Sequence, residues 1–485
     1  MSGAIRLEKL GKPTIFVATD NFGTDAQLSA KDNNMPRLRI VTVPAHDYYN
    51  RRVTLQEIRP VAKAAIDSLV DAATRPLSAA EANPQAPQKP EARIVKLTGD
   101  SYQTAYEKFN RLFLDNHWGD GLPLVPPTAK AVKAMLAGTS RSPKEIIGKV
   151  APRNGVATIE KIAINAVMAG ARPEYLPVII AAMEGLSDKN FDLLHMMTST
   201  GSFSLAIVVS GPIAKEIGMY SGIGLLGYGS RANNTIGRAV RLNLINIGQV
   251  WPGENDMALV GRASSHTFFT FPENQEYNPW EPYHVTQGFK PGDSCVTVST
   301  VGGTVMSPGQ KYGLGVYGGG SVRPWTPKEI MDTVVKELKD AYRSDIRLWK
   351  HGTAITSPPK LLLVTEPVFA MEAGRRGETR TSLQKSIYDS TRIPFENLTP
   401  QEVAAVQRRI DAGEIPEKSI NTFKEALKPG GKVPLLDSPE DIHIMVAGGI
   451  PSYTFGMTYF NSALYAPTAH QTKRVRGAAL TKTGR

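Results

Sequence analysis

Arginine and asparagine recur along RANNTIGRAVRLNLIN, residues 231–246. At about 100° per residue a helix would place Arg231, Asn234, Arg238 and Arg241 within one arc of about 80°. Guanidinium and amide groups gathered on one face suit a small anion. The Gly-Ser-Arg-Ala-Asn-Asn entry adds backbone N–H groups at a helix N-terminus, where negative charge is stabilised. Arg231 and Arg238 are therefore catalytic candidates, and Asn233, Asn234 and Thr235 substrate-binding ones. Ile236, Val240, Leu244 and Ile247 fall opposite and must face a core. Leu242 and Ile245 interrupt the polar arc, and Asn243 lies on the apolar side, where it needs buried partners. A plain solvated face is the alternative reading.

The same stretch is preceded by GIGLLGYG, with a G-x-G-x-x-G at Gly222, Gly224 and Gly227. A dinucleotide fingerprint needs its first glycine directly after a strand and an acid about 20 residues on. Here GPIAKEIGMYS, read as helical, intervenes after the strand LAIVVSG, and no acid stands at that spacing. The loop reads as a pocket wall; a nucleotide-cofactor enzyme using Gly222–Gly229 is the alternative.

HMMTSTGSF gathers Thr198, Ser199, Thr200 and Gly201 between a helix and a strand, where hydroxyls and amides can nest a carboxylate; an ordinary Ser/Thr turn is the other reading. His195 alone is a core histidine or a base. SSHTFFTFPENQEYNPWEPYH brings the catalytic candidates His266 and Glu273 and the substrate-binding candidates Trp280 and His284 into one irregular stretch, as substrate pockets do. No H-x-H or H-E-x-x-H spacing occurs, so no metal site is expected on this chain. Cys295, where a strand begins, is either a small buried hydrophobe or a catalytic thiol. Asp120 in WGDGLPLVPP is a turn residue that can also present a carboxylate to a pocket.

These groups must be held by a soluble, loop-rich chain: 485 residues, 41% apolar, with 43 Gly and 35 Pro. The net charge of +11 is scattered, densest in the tail TKRVRGAALTKTGR, with no basic helix interleaved with aromatics. That speaks against nucleic acid and for an acidic small molecule or acidic partner. One cysteine excludes an intrachain disulfide framework and fits a reducing cytosol. MSGAIRLEKLGKP lacks an apolar core, and no run of about 18 apolar residues occurs, so a cytoplasmic chain without a membrane span is expected.

The expected architecture is α/β: a small N-terminal parallel-sheet half-domain followed by a larger mixed α/β or α+β module. Residues 1–76 read strand, helix, strand, helix, with PTIFVATDNF and LRIVTVPAHDYYN as the strands. In the closing helix Ile58, Val61, Ala62, Ala65, Ile66 and Leu69 recur at helical period. A Pro/Ala-rich linker is expected over 77–95, a central pocket domain over 96–324, and a C-terminal α/β region packed on it over 325–485. TPKEI, TPQEV and SPEDI announce helices there, with Thr399-Pro400-Gln401-Glu402 the best-placed capping box.

DGLPLVPPT, IEKIAINAVMAGARPEYLPVIIAAMEG, SRANNTIGRAVRLNLINIG, ENQEYNPWEPYHV and DIHIMVAGG resemble the large module found with the UGSC-motif (seleno)protein family, named for a Cys- or selenocysteine-Gly-Ser-Cys motif. The stretch GKPTIFVATDNF to DAATRP resembles the second half of the domain that carries this motif. The motif itself is absent here; the sole cysteine is in DSCVTV. The resemblance implies a heteromeric enzyme in which a small CGSC-type subunit supplies the missing strands and reactive cysteines, and holds any metal, while this chain contributes the pocket. A carbon–sulfur or other carbon–heteroatom bond would be acted on by a lyase, hydratase or reductive cleavage, with no cofactor assigned to this chain. A non-catalytic scaffold for a thiol partner is the alternative.

Overall fold

The computed structural model describes residues 2–44, 53–82, 94–262, 264–301, 303–305, 361–450, 457–461 and 470–479, with scattered positions between 328 and 339. The TPKEI capping box, most of the Pro/Ala stretch and the end of the basic tail lie outside the described residues. The protein is a mixed α/β chain. Among the described residues no helix is long and apolar enough to cross a membrane.

Strands β1 (Ile15–Thr19) and β2 (Arg39–Val43) form a two-stranded parallel sheet, Ile15 opposite Arg39 through Thr19 opposite Val43. The helix Gly23–Asp32 joins them, and the helix Leu55–Thr74 follows, opened by a Thr54/Glu57 capping box. Val61, Ala65 and Leu69 of that last helix are half-buried, but none of its residues is buried. Ile58, Ala62 and Ile66, on the same periodic pattern, are exposed. Two strands are too narrow to cover the whole apolar face.

In the central region β3 (Ile146–Val150) and β4 (Gly155–Thr158) make a hairpin-like pair. β5 (Ser204–Ser210), β6 (Phe269–Pro272) and β7 (Cys295–Val301) belong to a four-stranded sheet of order β14–β7–β5–β6, where β14 is His470–Arg474. β5 and β7 are buried at every position and read as unbroken apolar and hydroxyl runs, as strands covered on both faces must. The helices Ile159–Met168, Leu176–Leu186 and Arg231–Asn246 share their core with this sheet. Leu176–Leu186 is apolar apart from Glu184 and almost wholly buried. Each large side chain it buries stabilises by about 1.5–3 kcal/mol.

A second sheet has the order β12–β9–β13–β8, from β8 (Gly303–Val305), β9 (Leu361–Thr365), β12 (Ile442–Val446) and β13 (Met457–Asn461). β12 runs parallel to β9 while β13 runs antiparallel to it. A small pair, β10 (Ile393–Pro394) with β11 (Lys432–Val433), completes the region. The Thr399/Glu402 box starts the helix Pro400–Asp411, and Ser438 caps a 3-10 turn. Because β8 pairs in the second sheet and β14 returns to the first, the chain passes between the two sheets more than once.

Candidate functional site

The helix Arg231–Asn246 is the spine of the site. Its Ser230 side chain accepts from the Asn233 N–H at 3.2 Å, closing the N-terminus. Asn234 and Thr235 donate back to the Ser230 and Arg231 carbonyls at 2.9 and 2.7 Å. Asn233 is buried; it accepts from the Tyr220 N–H at 3.0 Å and donates to the Tyr220 and Leu225 carbonyls at 2.9 and 3.3 Å. These three residues shape the glycine loop. Arg231 points the other way, with two bonds of 3.1 and 2.9 Å to the Gly170 carbonyl just beyond the helix Ile159–Met168.

Between the glycine loop and this helix end lies a cleft of about 680 Å³, lined by Arg172, Tyr175, Tyr220, Gly224, Ser230 and Arg231. Gly224 and Gly229 take φ of 79° and 103°, conformations an L side chain resists. The helical turn Ile213–Glu216 separates the loop from β5, so the loop does not issue directly from a strand.

Two turns along the same face Arg238 meets Asp120 bidentately, at 2.7 and 2.9 Å, and donates to the Leu122 and Pro123 carbonyls at 3.3 and 3.0 Å. The Asp120 side chain is only 3% exposed, and the half-exposed His266 ring stands 3.9 Å from its carboxylate. Burial alone would push the Asp120 carboxyl upward. The Arg238 bonds and charge, the Leu122 N–H and the His266 ring outweigh it, and the group titrates below its ordinary value. Three candidates distant in sequence, Asp120, Arg238 and His266, thus meet at one place. The charge of Arg238 is committed to Asp120 and not to a ligand.

The 198–201 loop is organised by a residue that motif reading passes over. Arg262 is buried; it holds Asp256 at 2.7–3.0 Å and donates to the Met197, Ser199, Gly201 and Phe203 carbonyls at 2.8–3.3 Å. Thr198 bonds its own helix at Leu194, the Ser199 hydroxyl accepts from the Gly201 N–H, and the Thr200 carbonyl accepts from Leu259. The loop therefore turns its carbonyls inward onto a cation. The one sequence signal was a charge, Arg262, set shortly before the apolar run FFTF. His195 beside the loop contacts Asp192, whose carboxylate raises the imidazole pKa.

The apolar-side prediction for Asn243 is met by a buried amide ladder. Asn165 donates to Asn243 at 3.2 Å, Asn246 donates to Asn165 at 2.7 Å, and Asn243 donates to the Ala239 carbonyl at 2.8 Å. It locks the helices Ile159–Met168 and Arg231–Asn246 in register.

Glu273, Trp280 and His284 form a different cluster. Glu273 is buried, accepts from the Tyr283 N–H at 2.9 Å and from Asn278 at 3.2 Å, and lies 3.8 Å from Arg380; burial raises its pKa. Trp280 donates to the Glu378 carbonyl at 2.8 Å and takes the Arg380 guanidinium over its ring at 5.6 Å. His284 is fully buried and its Nε2 meets the Lys290 carbonyl at 3.1 Å. Glu273 and Trp280 join the loop to the C-terminal region, while His284 braces its own segment. Cys295 is fully buried at the start of β7, and burial, aided by Asp293, pushes its thiol up to about 12. Such a thiol is not a thiolate at neutral pH, so Cys295 is a packing residue and not a nucleophile. Among the described residues no group of three or more His, Cys, Asp and Glu could hold a metal.

No curated protein matches the chain, and no solved structure does. The model of the UGSC family matches residues 1–75, the segment that folds into β1, β2 and their helices. Over that segment, and not over the rest of the chain, the protein is similar to the UGSC family.

Proposed function

We propose that this chain is the large component of a heteromeric enzyme. It acts on a small carboxylated molecule at a carbon–sulfur or other carbon–heteroatom bond, with reactive thiols brought by a separate CGSC-type polypeptide. The observation that carries this reading is the uncovered apolar face of Leu55–Thr74. Leu55, Ile58, Ile66 and Val70 are 80%, 39%, 55% and 54% exposed, within the segment that the UGSC model matches. A contiguous exposed apolar face of this kind marks an interaction surface. Strands that widen the β1–β2 sheet would cover it. The single cysteine of this chain lies outside the segment and is buried.

The substrate anion is assigned to the cleft at the helix N-terminus, which Arg172 and Arg231 line. A cationic neighbour lowers the pKa of a thiol and raises its nucleophilicity at neutral pH. The test is coexpression with a CGSC-type polypeptide followed by native mass spectrometry and alkylation kinetics of the partner thiols. A stable complex is expected, abolished by Ile58→Asp with Ile66→Asp, and its thiols should alkylate faster than in the isolated partner. No complex would refute the reading. A complex whose thiols are unchanged, and unaffected by Arg231→Ala, would make this chain a scaffold.

A further inference from the structure

Three arginines and two carboxylates lie together along the middle of the helix Arg231–Asn246. Arg238 is paired with Asp120 and Arg262 with Asp256, each bidentately. Arg241 is the guanidinium left over. It is 7% exposed, and among the described residues no carboxylate lies within 4.0 Å of it. Its Nε donates to the Ser265 carbonyl at 2.6 Å and its guanidinium carbon lies 4.3 Å from the centre of the Phe268 ring. Its Nη2 is buried with no hydrogen-bond partner among the described residues. Burial pushes its pKa down to about 10, with Asp256 and Asp120 opposing and Arg262 assisting. A buried cation lacking both counter-ion and full hydrogen bonding is strongly disfavoured unless something supplies the missing acceptor.

The cover over Arg241 is thin and strained. Residues 264–268 form one turn, closed by the Phe268 N–H on the Ser264 carbonyl at 2.6 Å. Ser264 and Phe268 have φ of 49° and 52°, a costly region for a bulky residue such as phenylalanine. The turn sits so close to the helix that a Cβ on Gly237 would be 1.7 Å from the Thr267 carbonyl. Ser264 and His266 are exposed while Phe268 and Arg241 are buried, so the turn that touches the guanidinium through Ser265 and Phe268 also reaches the surface.

We propose that Arg241 is a receptor for the carboxylate of a small monoanionic molecule that enters beside His266. The residual charge of the cluster is a single positive one, which a monoanion cancels and a phosphate dianion overshoots. The planar Nη1/Nη2 end matches the two oxygens of a carboxylate. The site is distinct from the cleft at the helix N-terminus, since Arg231 lies ten residues earlier, about 15 Å along the axis. It does not depend on the proposed partner.

The test is the melting temperature of the full chain titrated with sodium acetate at constant ionic strength against sodium chloride, for the natural protein, Arg241→Met and Arg231→Ala. Acetate should raise Tm of the natural protein by a few degrees per tenfold concentration above its Kd. Arg231→Ala should keep that rise, and Arg241→Met should lose it while melting, without acetate, at or above the natural protein. The proposal is overturned if acetate does not stabilise the natural protein, if Arg241→Met keeps the rise, or if Arg231→Ala loses it. Should Arg241→Met fail to fold, the Nε–H resonances of the natural protein decide: acetate must shift that of Arg241 and leave that of Arg262 in place.

Discussion

Replacing Asp120 by Asn removes one charge and keeps the shape. The Asp120 and Arg238 side chains are 3% and 15% exposed, so solvent screens their attraction only weakly. Breaking a buried pair by removing one partner costs about 3–5 kcal/mol. Arg238 keeps the Leu122 and Pro123 carbonyls, which puts the expected loss at the low end, about 3 kcal/mol. At roughly 2–4 °C per kcal/mol for a domain of this scale, Tm should fall by about 6–12 °C. The pH dependence has a definite sign. The folded Asp120 pKa is depressed, so its contribution is fully present above the unfolded carboxyl value of about 3.9 and is lost as pH falls through the lower folded value. Asp120→Asn should therefore show its full deficit at neutral pH and converge with the natural protein in acid. The assay is thermal and urea unfolding by circular dichroism, with Arg238→Met closing a double-mutant cycle. A neutral-pH Tm within about 1 °C of the natural protein, together with a coupling energy under about 0.5 kcal/mol, would refute the pairing argument.

Two further outcomes follow from the same geometry. With its thiol buried and its pKa pushed up to about 12, Cys295 should not react with a disulfide reagent at pH 8 in the native chain, yet should react fully in denaturant; rapid native labelling would contradict its assignment as a packing residue. Gly237→Ala places a methyl 1.7 Å from the Thr267 carbonyl and 2.4 Å from the Thr270 hydroxyl. The helix and the 264–268 turn must part, at about 1–3 kcal/mol or more, and an unchanged Tm would mean that the turn is not clamped there.

Much of the local structure is legible in the chain. The strands LAIVVS and CVTVST, the Thr399 capping box, and the shared face of Arg231 and Arg238 all depend on neighbours within a few residues, where backbone sterics and helical period act. The need of Asn243 for buried partners followed from its place on the apolar side. The site itself was legible only as separate pieces. Arg238 finds Asp120 118 positions away, and Arg262 draws in a loop about 60 positions before it. Motif reading marks Asp120 and Arg238 separately, and groups His266 with Glu273, Trp280 and His284 only because they share one stretch of sequence.

Residue type and spacing thus determined which segments could become helices and strands, and which faces would carry charge. Tertiary structure alone decided which charges cancel. Coulomb attraction and desolvation depend on distance through space and on burial, neither of which is a property of sequence order. Those two quantities turn Arg238 into a structural partner of Asp120, silence Cys295, and leave Arg241 buried with no carboxylate beside it among the described residues.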